Sequence, residues 1–76
     1  MTAGLLSVFS APPPEGIARL REARIAASLL CGSRHPVTVA LRTAIADPKA
    51  IDVAVGAIDA LPALTRRRLL AAMAAA

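Results

Sequence analysis

The sequence predicts an all-α protein, a compact bundle of about four helices that comprises a short N-terminal element, one long helix and two to three shorter helices. Two observations support this fold class. Proline and glycine residues divide the 76-residue chain into short segments, and within most segments the apolar residues recur at helical spacing. Hydrophobic residues also make up 57% of the chain, which is too apolar a composition for a disordered protein.

We expect one domain over residues 1–76, with residues 1–13 as an N-terminal arm that includes a proline-rich connector and residues 14–76 as the helical bundle. A chain this short buries only roughly 60 to 65% of its unfolded surface, so its stability depends on close packing or on a second copy. Cys31 is the only cysteine, which excludes an intrachain disulfide. Alanine is abundant and Phe9 is the only aromatic residue, so we expect thin, closely approaching helices.

The N-terminal arm has two alternative structures. Leu5, Leu6 and Phe9 have helical spacing, although the apolar run around Val8 also suits a short strand. The three prolines at 12–14 predict an extended, polyproline-like connector. We expect the arm to fold back over apolar surface; the alternative is an arm that binds a partner.

The first long helix is predicted from Pro14 to about Cys31, where Gly32 ends it. Its apolar residues form two stripes. The first comprises Ile17, Leu20, Ala23, Ala27 and Leu30, and the second comprises Ala18, Ile25 and Leu29. A helix with two apolar stripes is expected to have two neighbours: either the arm and the other helices cover both, or the second stripe is a surface for another protein.

A turn through Gly32 and His35 leads to a second helix from Pro36 to about Ala46. Its expected buried face comprises Val37, Ala40, Leu41, Ala44 and Ile45. Thr38 is expected outside that face.

The segment 47–62 is predicted to be the central helix of the bundle. Asp47 suits the N-cap and Pro48 the first helical position. The polar residues fall on one narrow stripe, and Ile51, Val53, Val55, Ile58 and Leu61 cover most of the remaining circumference. We therefore expect neighbouring helices to surround it.

The last helix has two alternative starts. A start at Pro62 puts the arginines in mid-helix and Leu64 opposite Leu69, whereas Thr65 as N-cap makes Leu64 and Leu69 a hydrophobic staple. We favour Thr65, which places Arg66, Arg67 and Arg68 in the first turn. There, free N–H groups and guanidinium groups suit a phosphate or carboxylate. The alternative is a solvated basic face.

No motif indicates catalysis. Cys31 and His35 lie on either side of a turn without a third group to orient them, and a single histidine and a single cysteine make no metal cluster. We expect a non-enzymatic protein with no cofactor and no metal.

The chain has no apolar run of about 18 residues, so no membrane span is predicted, and the N-terminus lacks a secretory pattern. We therefore expect a cytoplasmic protein.

The first function hypothesis is an inhibitor or adaptor that binds another protein or complex, and the arginines suit a partner with an acidic surface. Short helical chains of this kind are common among phage and mobile-element inhibitors, a class without a shared motif. The expected partner-binding residues are Arg19, Arg24, Ile25, Leu29, Arg66, Arg67 and Arg68. A homodimer through Ile25 and Leu29 is a further expectation.

The alternative is low-specificity nucleic-acid binding through Arg66, Arg67 and Arg68. The formal charge of +4 supports an anionic partner. All basic residues except Lys49 are arginine, however, and GC-rich coding DNA produces the same bias. The chain has no Tyr, Trp, Asn or Gln, so base stacking and adenine readout are not expected. Membrane-surface binding by the last helix ranks third.

Overall fold

The computed structural model describes residues 3–75, and it confirms the all-α fold class. Five α-helices follow one another along the described residues, with a 3₁₀ turn at Pro48–Ala50 between the third and the fourth. Their bounds are α1 Ala3–Phe9, α2 Glu15–Cys31, α3 Pro36–Ala46, α4 Ile51–Asp59 and α5 Ala63–Ala75. The long helix therefore lies where its flanking Pro14 and Gly32 predict it.

The bundle is organised around α2. This helix packs against α1, α3 and α5, whereas α4 packs mainly against α3 and α1. The buried face of α2 carries mostly small residues, namely Gly16, Leu20, Ala23, Ala26 and Ala27. Because alanine side chains end at Cβ, neighbouring helices approach α2 closely. The predicted first apolar stripe of α2 is confirmed in part. Leu20, Ala23 and Ala27 are buried as expected, but Ala26 is buried as well, and Leu30 is exposed near the end of the helix.

The helix α4 is not surrounded, so its prediction as the central helix is wrong. Ile51, Ala54 and Ile58 face the core. Val53, in contrast, is 66% exposed, and Val55 is only partly buried. The physical reason is that α3 and α1 cover one side of this nine-residue helix, which leaves the other side to solvent. Asp47 does act as a cap, but of the 3₁₀ turn, where its carboxylate accepts from the N–H of Lys49 at 3.0 Å.

The N-terminal arm folds back over the core, as expected. The buried Leu5 and Phe9 fix α1 against the bundle. The connector is a compact turn rather than the extended segment that its prolines predict, and the Pro13–Pro14 peptide bond is cis. The N–H of Glu15 donates to the carbonyl of Pro12 at 3.0 Å, which closes the turn.

Gly16 allows this turn to lie directly on α2. A Cβ at this position would stand 2.7 Å from the carbonyl oxygen of Phe9 and would also clash with the carbonyl oxygen of Ala11. Both obstacles are backbone atoms, which a side-chain rotation does not move. The end of α1 therefore packs here against a residue that has no side chain.

The turn between α2 and α3 uses two polar side chains. Gly32 has a φ of 99°, a left-handed conformation that glycine adopts without strain. His35 caps α3 through Nδ1, which accepts from the N–H of Val37 at 3.1 Å. Thr38 is fully buried, so its predicted outside position is wrong; its hydroxyl donates to the carbonyl of Gly32 at 2.8 Å. This hydrogen bond explains how a polar residue joins the core.

The helix α5 begins at Ala63, so the predicted N-cap at Thr65 is wrong and the start at Pro62 is the right alternative. The N–H of Arg66 donates to the carbonyl of Pro62 at 2.9 Å, which includes Thr65 in the first turn. Leu64 is exposed while Leu69 is buried, so these two residues do not form the predicted staple.

Candidate protein-binding face

The side of α2 that points away from the bundle carries a stripe of apolar side chains. We call it the outer face and define it by Ala18, Arg21, Glu22, Ile25 and Leu29. Ile25 is 53% exposed and Leu29 is 84% exposed, the largest fraction among the exposed large hydrophobic residues. Of the two alternatives for this stripe, coverage within the chain is therefore wrong for Ile25 and Leu29, whereas Ala18 lies beside Val8 of α1 in a shallow groove.

The outer face follows from the helical period. Ala18 and Ile25 are seven residues apart, and Leu29 follows Ile25 by four, so the three side chains align along the helix. The central buried residues Ala23 and Ala27 occupy the opposite side. Alanine side chains suffice for packing on that side, while the largest aliphatic residues of the helix's second half remain in water. The exposed apolar surface of α2 is therefore available for contact with another molecule.

Arg21 is the cationic residue placed most directly on this face, and it is not among the partner-binding residues predicted from the sequence. It is exposed and precedes Ile25 by one helical turn. The predicted residues Arg19 and Arg24 lie farther to either side, and Arg24 is partly buried. The i,i+4 spacing of Arg21 and Ile25 in the sequence already indicates that Arg21 lies beside the apolar stripe.

Arg19 forms an ion pair on α2. Its Nη1 lies 2.8 Å from a carboxylate oxygen of Glu22, and this is the only ion pair among the described residues. Both side chains are partly exposed, so the pair contributes little to stability. Glu22 therefore offsets the positive charge of Arg19. Among the described residues, Arg21 is the arginine nearest to the apolar stripe that forms no ion pair.

The three consecutive arginines of α5 do not form one patch. Successive helical residues point about 100° apart, so Arg66, Arg67 and Arg68 project in different directions. The Arg66 guanidinium donates to the carbonyl of Asp59 at 3.1 Å, at the C-terminal end of α4, where a cation is favoured by the helix dipole. Arg67 and Arg68 are exposed. The predicted placement of all three arginines in the first turn is wrong, because α5 begins three residues before Arg66; anion binding by these residues stays a prediction.

The structure does not bring Cys31, His35 and the acidic side chains of the described residues together as a reactive site. Within residues 3–75, no three His, Cys, Asp or Glu side chains are grouped as metal ligands. Cys31 is partly buried at the end of α2, and His35 is engaged as the cap of α3. No helix in the described part of the chain combines the length and the apolar character that a bilayer crossing requires.

The sequence matches no known protein family, and no curated protein or solved structure is significantly similar to it.

Proposed function

We propose that this protein acts by binding another protein through the outer face of α2, as an inhibitor or an adaptor. The observation that carries this proposal is the exposure of Ile25 and Leu29 on one side of a helix that the bundle holds in place. Burying a side chain of this size contributes about 1.5 to 3 kcal/mol. Two such anchors on a preformed helix favour binding because little conformational freedom is lost.

The chemistry of the outer face indicates the kind of partner. An apolar helix stripe suits a hydrophobic groove, in which anchors spaced by one or two helical turns fill successive pockets. Arg21 beside the stripe, Arg24 farther to the same side and the net charge of +4 suit a groove with carboxylates along its rim. A planar guanidinium makes bidentate contacts with such carboxylates. The one carboxylate at the stripe itself, that of Glu22, is paired with Arg19. We therefore propose an acidic protein groove as the binding site on the partner.

A capture experiment with matched variants tests this proposal. The tagged protein and its Ile25→Glu and Leu29→Glu variants are incubated with lysate of the cells that encode it, and bound proteins are quantified by mass spectrometry. Leu64→Glu is the control, because Leu64 is 56% exposed but lies on α5. Circular dichroism verifies that all variants are folded.

We expect at least one protein to be retained by the wild type and by Leu64→Glu, and to be lost with both α2 variants. A protein that all four chains retain equally does not use the outer face. If every captured protein behaves in that way, the proposal is wrong. Retention of nucleic acid instead, sensitive to nuclease, would favour the alternative function.

A further inference from the structure

A cleft of about 280 Å³ lies on another part of the bundle, between the proline turn, the start of α2, the end of α3 and the 3₁₀ turn. None of the residues that define the outer face of α2 lines it. Phe9 and Leu20 are almost completely buried and form its floor, whereas Ile17 and Ile45 are partly exposed at its mouth. The cleft is therefore a partly enclosed space with a fixed floor.

Two small residues help to keep this space open. Ala11 in the proline turn and Ala44 on α3 both line the cleft. Their side chains end at Cβ, so neither reaches across the gap. Gly16 holds the proline turn against α2 and thereby fixes one wall, because its missing side chain lets the Ala11 carbonyl approach. The cleft thus follows from the same packing that places α1.

The lining is apolar and carries no charged side chain. Ser10 contributes the only side-chain hydroxyl, and the other lining side chains are those of Phe, Ala, Pro, Ile and Leu. Water in such a space finds few hydrogen-bond partners, and a charged group would lose hydration without gaining an ion pair. An apolar cavity of about 150 Å³ is large enough to take up benzene. The cleft is larger than that, although its mouth is open to solvent.

We propose that this cleft binds a small, neutral, apolar molecule, of the class of a short aliphatic chain with at most one hydroxyl group. The hydroxyl group would lie at the Ser10 side, and the chain would pack on Phe9 and Leu20. This binding site is separate from the proposed protein-binding face, since the two share no residue.

The five isoleucines of the chain provide a direct test. Ile17, Ile45 and Ile51 line the cleft, whereas Ile25 lies on the outer face and Ile58 lies in the core. The protein is labelled with ¹³C at the isoleucine δ1 methyl groups and titrated with 1-octanol in an NMR experiment. We expect saturable shifts of the three cleft methyl groups, with the other two nearly unchanged. Octanoate is expected to bind at least about tenfold more weakly, because the lining has no cation.

Variants that fill the cleft complete the test. Ala44→Leu places a larger side chain in it from α3, and Ala11→Leu does so from the mouth in case the first variant does not fold. Ala72→Leu is the control on the exposed side of α5. Loss of the octanol shifts in a filled variant, with retention in the control, supports the proposal. Equal shifts of all five methyl groups, no saturation, binding of octanoate as strong as that of octanol, or unchanged binding in a folded filled variant would overturn it.

Discussion

The hydroxyl group of Thr38 donates a 2.8 Å hydrogen bond to the carbonyl oxygen of Gly32, across the turn that joins α2 to α3. Thr38 has no solvent exposure, and it is the only fully buried polar residue among those described. The bond pairs the hydroxyl and at the same time provides a partner for a carbonyl just beyond the end of α2. It therefore links the end of one helix to the first turn of the next.

Replacing Thr38 with valine is expected to destabilise the protein by about 1 kcal/mol. Valine matches threonine in shape but removes the hydroxyl donor, so the Gly32 carbonyl keeps only the longer hydrogen bond from the N–H of His35 at 3.3 Å. Urea unfolding monitored by circular dichroism measures the change in free energy of unfolding. Thr38→Ser keeps the hydroxyl group but removes a buried methyl group, so it is expected to lose about 0.8 kcal/mol for that reason alone. If the valine variant is as stable as the wild type, the hydrogen bond contributes nothing to stability.

Two glycine-to-alanine substitutions are expected to have opposite effects. At Gly16 the new Cβ meets the backbone oxygens of Phe9 and Ala11, which predicts a loss of about 1 to 3 kcal/mol. At Gly56, in the middle of α4, no atom outside the adjacent residues and the surrounding helix backbone lies within 4 Å of the new Cβ, and alanine's higher helix propensity predicts a gain of about 0.5 to 1 kcal/mol. Thermal unfolding compares them. A stabilising Gly16→Ala substitution would contradict the close packing of the proline turn.

The burial of α4 on one side only predicts a contrast between two of its residues. Ile58 is fully buried, so Ile58→Asp places an unpaired charge in the core and is expected to cost more than about 3 kcal/mol. Val53 faces a shallow groove beside Val39 on α3, and Val53→Asp is expected to change stability by less than about 1 kcal/mol. Denaturant unfolding distinguishes the two. Equal loss in both variants would mean that α4 is surrounded after all.

The dispersed arginines of α5 lead to a prediction about DNA. The affinity for a mixed-sequence duplex, measured by fluorescence anisotropy at about 50 mM salt, should depend on net charge rather than on one cluster. Changing Arg66, Arg67 and Arg68 to alanine removes three charges, and so does changing Arg21, Arg24 and Arg34. We expect the two triple variants to lose similar affinity. A loss confined to the first variant would restore the α5 arginines as a nucleic-acid site.

The sequence predicts the parts of this fold that local chemistry determines. Pro14, Gly32 and Pro36 mark the ends of α2 and the start of α3, because proline suits a helix start and Gly32 suits a left-handed helix end. The apolar period likewise identifies Leu20, Ala23 and Ala27 as buried. These features depend on residues that are near one another in the chain.

The features that local patterns did not predict depend on contacts between different helices and across the turns that join them. The apolar circumference of α4 suggests burial on all sides, but only the packing of α1 and α3 decides that Val53 stays exposed. Similarly, Thr65 is a good N-cap by residue type, yet α5 starts earlier and Arg66 reaches the end of α4. Thr38 joins the core because of a carbonyl six residues away.

Site-specific photocrosslinking tests the central claim most directly. A photoreactive phenylalanine derivative replaces Leu29, which is 84% exposed, or Leu64 as the control, and each protein is irradiated in lysate of the cells that encode it. The proposed binding face predicts an adduct of one defined mass from position 29, absent from position 64 and reduced when Ile25→Glu is added. No adduct from position 29, or the same adduct from both positions, would contradict the claim that the outer face of α2 binds a protein.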